Sequence, residues 1–374
     1  MKIFVQTIYF PPRLGGIENH AYYLCRGLAR RGHEVRVVTS RTEPESAVRE
    51  REGNMTIRRV FLPNRSPLGW TVNAAASFPA ALREGWGAEM LHAHTFQSVP
   101  PVLPVRWLRR TPLVVTIHSS HFLRMVKKAH WRVVFRAMLR SADLILATSD
   151  ELADACRLVA PGKRIEPVVN GIDTELFRPV EPSLERGEGR RILVTTRRLV
   201  KKNGVRYLID AMPAILEKND CDLYLAGIGP EREDLDRRVA GHGIGERVHF
   251  LGGVPNRELP ALLSSADAVV IPSLVEATSL SALEAMSCER PMAVSRVGGL
   301  PEIIDESCGV LFRSGDPADL AEKVNGLLAR PEEERRALGR EGRRRVAGKW
   351  SIDALVERHE AFFREVLEGK NIHG

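Results

Sequence analysis

Short runs of β-branched and other apolar residues alternate along the chain with longer segments whose apolar positions recur three and four residues apart. In the first half the short runs read as strands at Lys2–Ile8, Glu34–Ser40, Thr56–Leu62, Met90–His94, Leu113–His118 and Leu144–Thr148. The first helix is legible from Ile17, Ala21, Leu24, Cys25 and Leu28, with Gly32 as its stop. The pattern lapses over Arg178–Gly189, which is rich in turn formers. It resumes with strands at Arg191–Thr196, Leu223–Ala226, Val248–Leu251, Ala268–Ile271, Met292–Ser295 and Gly309–Phe312. Alternation of this kind predicts parallel sheets with crossover helices. The fold class is therefore α/β, with two doubly wound domains over 1–182 and 183–350 and a last helix, within 351–374, returning to brace the first domain. Ligands are expected in the cleft between two such domains.

Length and composition agree with this division. A chain of 374 residues exceeds what one core usually supports. With 44% hydrophobic and 27% charged residues it belongs with ordinary globular proteins, not with disordered or low-complexity chains. Its five cysteines (Cys25, Cys156, Cys221, Cys288 and Cys308) include no C-x-x-C pair, which suits neither a disulfide framework nor a zinc site and points to a reducing cytoplasm. Met1–Val5 enters the strand pattern without a signal-like segment, and no stretch approaches the roughly 18 apolar residues of a membrane span.

Charge adds one regional feature. The net charge is +8, and no acidic residue lies between Glu89 and Asp143, whereas Arg106, Arg109, Arg110, Arg124, Lys127, Lys128, Arg132, Arg136 and Arg140 all do. If His121–Arg140 is one helix, Arg124, Lys128, Arg132, Arg136 and Arg140 recur every four residues as a cationic stripe. Such a stripe suits an anionic membrane surface, at about 1 kcal/mol per cation, or a groove for a phosphorylated sugar. Nucleic acid is not expected as a partner, because only Trp107, Phe122, Trp131 and Phe135 interrupt the charge and no binding module is recognisable.

The densest candidate chemistry lies in Pro272–Met286, which follows a strand and opens a helix. Glu276 falls in the turn and Glu284 on the helix, which sets two carboxylates at two depths of one pocket. One can accept sugar hydroxyls and the other ribose hydroxyls, while free amides at Thr278, Ser279 and Leu280 can face a phosphate. Taken alone the pair reads equally as surface or capping glutamates. Gly15 and Gly16, between a strand and a helix, permit close approach of backbone to a diphosphate, or make an ordinary turn. His118 ends a strand, where an open parallel sheet binds ligands. His92 and His94 share a face of another strand end and could hold a metal, but no third ligand is evident, so they are assigned to the acceptor side. Asp220-Cys221-Asp222 has the letters of a metal-binding D-x-D, but it begins a strand, opposite the ligand-binding ends, and reads as a turn.

Several separate stretches resemble the family 4 (group 1) retaining glycosyltransferases, a family of the GT-B fold that includes phosphatidylinositol mannosyltransferase-like enzymes. They are Pro11–Glu18, Gly32–Val35, Asn170–Asp173 with Phe177 and Pro179, Gly227–Pro230, Glu258–Leu263 with Ala266-Asp267, and Gly298–Ile304. The resemblance implies two facing Rossmann-like domains and transfer of a hexose-type sugar from a nucleotide-diphosphate donor. Its acceptor would be lipid-linked or phosphorylated, and no metal or other cofactor is expected. It implies donor contacts from Gly15, Gly16, Arg198, Lys202, Gly229, Glu276, Thr278, Ser279, Leu280 and Glu284. Arg198 and Lys202 would face the departing diphosphate, Glu276 the sugar, and His118 sugar and acceptor. The sequence departs from the family at Asn203, where a lysine is usual and Lys202 is the substitute, and at Ala277-Thr278-Ser279, where Gly-Phe-Gly is more frequent. These departures leave a non-catalytic nucleotide-sugar-binding protein as one alternative, and a nucleotide-sugar epimerase of the same fold is another. Donor base, sugar, acceptor and oligomeric state are not legible in the sequence.

Overall fold

The computed structural model describes the chain except residues 13–15, 65, 119, 169–170, 186, 188, 277–278 and 373–374. It divides into one unit of Met1–Gly171 with Ile352–Gly374, and a second of Ile172–Ser351.

The first unit opens with β1 (Lys2–Thr7), α1 (Gly16–Arg30), β2 (Glu34–Arg41), β3 (Arg49–Glu52), β4 (Met55–Phe61), α2 (Pro67–Gly85) and β5 (Met90–His94). There follow α3 (Leu103–Arg109), β6 (Leu113–Ile117), α4 (Ser120–Met125), α5 (Ala129–Leu139), β7 (Leu144–Ala147), α6 (Asp150–Val159) and β8 (Ile165–Pro167). Its sheet runs β3-β4-β2-β1-β5-β6-β7-β8 and is parallel except for β3 against β4. Strands β5, β6 and β7 are buried at every position, as a sheet covered on both faces requires. One face packs against Ala21, Leu24, Cys25 and Leu28 of α1, the other against Phe96, Phe122 and Phe135.

The second unit contains β9 (Arg191–Thr196), α7 (Val205–Leu216), β10 (Cys221–Ala226), α8 (Arg232–Gly241), β11 (Val248–Gly252), α9 (Leu259–Ser264) and β12 (Ala268–Ile271). It continues with α10 (Leu280–Ser287), β13 (Met292–Ser295), α11 (Leu300–Ile303), β14 (Gly309–Phe312), α12 (Pro317–Ala329) and α13 (Glu332–Arg345). All six strands are parallel, in the order β11-β10-β9-β12-β13-β14.

The chain's last helix, α14 (Ile352–Ile372), packs on α1. Leu355, Val356, Phe362 and Phe363 enter the first core, and Glu360 accepts from Arg31 at 2.9 Å and pairs with His33 at 2.5 Å. Residues 172–183, by contrast, are fastened to the second unit. Ser264 Oγ accepts from Val180 N and Ser265 Oγ from Ser183 N, both at 3.1 Å, while Phe177 O accepts from Ser287 and Arg343. The division therefore falls before the Pro- and Gly-rich stretch, not inside it.

Two readings of the sequence change. Strands β3 and β8 carry no apolar period: β3 is Arg-Glu-Arg-Glu at the sheet edge, where charge suits an exposed strand. His121–Arg140 is not one helix. The chain leaves helical geometry after Met125 and re-enters at Ala129, with Lys128 extended as the cap, so Arg124 and Lys128 do not continue the row formed by Arg132, Arg136 and Arg140. Arg132 and Arg136 also donate their Nε atoms to the carbonyls of Val126 and Val159, at 2.8 and 3.4 Å.

Candidate active site

Each sheet has one point where successive strands begin to be added on opposite sides, and open α/β sheets bind ligands outside the carboxyl ends of the strands there. In the second unit that point lies between β9 and β12. Arg197 leaves the end of β9, and the loop Pro272–Glu276 leaves the end of β12.

Arg197 binds this loop together. Its Nη2 donates to Ser273 Oγ at 2.8 Å, to Asn203 Oδ1 at 2.9 Å and to the Glu276 carboxylate, and Nη1 reaches Ser279 Oγ at 3.5 Å. Ser273 Oγ donates to Glu276 Oε2 at 3.2 Å. A planar guanidinium can serve several acceptors at once, and a largely covered ion pair of this kind fixes the orientation of its carboxylate. The backbone is held as firmly. Lys202 O accepts from Leu274 N at 2.8 Å, and Ser273 O accepts from Ser295 and Ser314. Gly298 has φ +50°, and a Cβ there would lie 1.6 Å from Glu276 O, so glycine alone allows the two loops to meet.

Ser279 caps α10, its Oγ accepting from Ala282 N at 3.3 Å. Leu280 begins that helix and Glu284 stands farther along it, where burial raises its carboxyl to about 7 against the pull of Arg197. Arg198 and Lys202 are exposed, and neither side chain has a partner among the described residues. Gly229 presses on the same loop: a Cβ would lie 2.2 Å from Leu199 O. Asn203, where the family usually has lysine, is buried; it accepts from Arg197 and donates to Arg198 O at 2.7 Å. It thus fastens the basic loop from within and adds no second cation beside Arg197. Gly15 and Thr278 lie outside the described residues, and Gly16 is the first residue of α1. In the sequence Arg197 is visible only as the first of a basic run, Arg197–Gly204, at a strand end and facing the diphosphate; its place directly after the strand, next to the family-matched arginine, is the signal for its role as a clamp on Glu276.

In the first unit the corresponding point lies between β1 and β5. His94 ends β5, His118 follows β6, and α1 delivers His20 to both. His94 Nδ1 and His118 Nε2 are 2.9 Å apart, and the His20 ring centre stands 4.5 Å from that of His118. Behind them His92 bonds Thr116 Oγ1 at 2.7 Å, and His359 of α14 donates to Leu355 O at 2.8 Å. Burial, reinforced by the neighbouring imidazoles, holds His92, His94 and His118 well below the ordinary histidine range; burial also takes His359 to about 4. These four imidazoles are therefore neutral at neutral pH and can exchange hydrogen bonds with hydroxyls without introducing charge. His94 Nε2 is buried without a hydrogen-bond partner among the described residues. The sequence showed no third partner for His92 and His94, and the fold changes the grouping: among the described residues it is the side-chain nitrogens of His20, His94 and His118, without His92, that lie within 4.8 Å of one another.

Asp220 and Asp222 lie at the opposite end of their sheet. They face Arg190 and Arg247, and His249 stands beside Asp222. These neighbours account for the two aspartates as ion pairs at a strand start.

Two Rossmann-like domains with parallel sheets, each with polar groups at its switch point, make this a GT-B architecture. Sucrose-phosphate synthase from Thermosynechococcus elongatus has the same fold, with a TM-score of 0.77 at 24% identity over 99% of this chain and 100% of that one. Anabaena HepE, solved with UDP and glucose, gives 0.72 at 17% identity over 97% and 99%. At the level of sequence, the model described as Glycosyltransferase Family 4 matches residues 14–176, and that described as Glycosyl transferases group 1 matches 179–345. An uncharacterised glycosyltransferase of Methanocaldococcus jannaschii is 31% identical over 353 residues, covering 88% of this chain and 89% of that protein. The chain belongs to the family 4, group 1 glycosyltransferases.

Proposed function

We propose that this glycosyltransferase moves a hexose-type sugar from a UDP- or GDP-sugar to a lipid-linked or phosphorylated acceptor, with retention of configuration and without a metal. The observation that carries the donor half is the Arg197–Glu276 pair at the switch point of the second sheet, with Arg198 and Lys202 exposed beside it. Glu276, oriented by Arg197 and Ser273, accepts hydroxyls of the sugar, and Glu284 accepts those of the ribose. Arg198 and Lys202 meet the charge that develops on the departing diphosphate, the task a metal would otherwise perform. Ser279 and Leu280 offer helix-terminal amides to the same phosphates. The neutral His118, with His94 beside it and His92 behind them, serves the acceptor side. In this reading the enzyme works in the cytoplasm.

Arg198→Ala and Glu276→Gln should each lower kcat about 10²–10³-fold, as losses of single charge-stabilising groups do. Arg197→Lys should follow Glu276→Gln, because it breaks the fork that orients the carboxylate. Turnover of UDP-glucose and GDP-mannose, measured with and without EDTA, tests the scheme; near-wild-type rates in Glu276→Gln, or loss of activity with EDTA, would overturn it.

A further inference from the structure

Helix α2 is amphipathic in the reverse sense. Its inward positions are small or polar: Asn73 and Ser77 are buried, and Glu84, also buried, pairs with Arg49 and Arg58. Its outward positions are apolar. Leu68, Val72, Phe78, Leu82 and Trp86 are all exposed, Leu68 by 73% and Trp86 by 47%. At 100° per residue they fall in one stripe along about 27 Å of helix. The same surface continues onto α3. Arg109 lies over the Trp86 ring at 5.3 Å, and the adjoining Trp107 and Leu108 are exposed by 65% and 67%.

A helix that turns its polar residues inward and its leucines and aromatics outward has its apolar stripe on the wrong side for water. The charge around the stripe says what medium it meets. Its cations are Arg83, Arg109 and Arg110, and neither α3 nor the outward face of α2 carries an acid. A second copy of the chain docking isologously would set these arginines against their own equivalents. An anionic leaflet would not, and tryptophan and arginine at an apolar boundary are the side chains that headgroup depth accommodates.

We propose that the α2–α3 face is an interfacial docking surface for an anionic phospholipid membrane, with Leu82, Trp86, Trp107 and Leu108 entering the headgroup–acyl boundary and Arg83, Arg109 and Arg110 meeting lipid phosphates. The inference deepens the lipid-linked part of the function proposed above. It is measured without turnover, so its failure and the failure of that reading are separable.

The full-length protein is mixed with phosphatidylcholine vesicles with and without phosphatidylglycerol, then sedimented. Binding should require phosphatidylglycerol and weaken with salt. Leu82→Asp combined with Trp86→Asp should reduce the vesicle affinity at least about tenfold, and Arg109→Glu with Arg110→Glu should do likewise. Arg132→Gln, Arg136→Gln and Arg140→Gln together should have a smaller effect. In the unaltered protein, brominated lipid should quench tryptophan emission, and Trp86→Phe with Trp107→Phe should remove most of that quenching, a readout that does not depend on the charged variants folding. Three results would overturn the inference: no binding to anionic vesicles, binding abolished by the α5 changes and indifferent to those in α2 and α3, or a vesicle-independent dimer that Leu82→Asp dissociates.

Discussion

Arg197 and Arg198 are adjacent in sequence and have opposite surroundings: one is covered and pinned by four side chains, the other stands in solvent. The same contrast separates the two glutamates. Glu276 has an arginine and a serine on its carboxylate, while Glu284 is held near 7 by burial that Arg197 only partly offsets. A ribose hydroxyl donates best to an ionised carboxylate, so nucleotide affinity should rise as pH passes upward through about 7. Titration of UDP or GDP by calorimetry at about pH 6 and about pH 8 checks this, and Glu284→Gln should weaken binding and flatten the dependence. The sign for stability is opposite. A carboxyl whose folded pKa is raised contributes stability below its unfolded value, near 4.5, that is lost as pH rises through about 7, so Glu284→Gln should stabilise the protein at alkaline pH.

At the scale of elements, loops carry the site and glycines let them touch. Gly204, at φ +65°, would place a Cβ 1.9 Å from Pro272 O, as Gly298 would against Glu276 O. Gly298→Ala must both adopt an unfavourable φ and push the glutamate loop away. It should cost about 1–3 kcal/mol of stability and lower kcat with Glu276 still present. Thermal unfolding and turnover on the same preparation test this, and unchanged values for both would show that the two loops yield without strain. The helices show how far periodicity reaches. That of α1 is plain because its buried face is apolar, and those of β5 and β6 because parallel strands are buried throughout. Periodicity says nothing reliable about α2, whose apolar stripe faces outward, nor about the break at 126–128, where no proline or glycine marks the interruption.

At the scale of the whole molecule, the buried imidazoles of the first unit govern its behaviour in acid. His92, His94, His118 and His359 all have folded pKa values below the ordinary value near 6.5. Their contribution is fully present above that value and is lost as pH falls towards the folded values, because the unfolded chain takes up protons that the folded one refuses. The slope can reach about 1.4 kcal/mol per pH unit for each histidine. Urea unfolding at about pH 7.5 and about pH 5.5 should show the loss, and His92→Asn should reduce the slope by about one proton. Composition could not locate this group, since its members come from two strand ends and the last helix.

What the sequence determined by itself follows from local rules: strand–helix alternation, two sheets, the family motifs, and Glu276 and Glu284 at a strand-to-helix turn. Those features depend on period, turn chemistry and order along the chain, all of which one dimension records. Tertiary structure decided that Arg197 clamps Glu276, that Asn203 is a buried pin, that His20 joins His94 and His118, and that the apolar side of α2 faces outward. Each depends on which way a side chain points once distant segments have packed, and neither spacing nor residue type contains that direction.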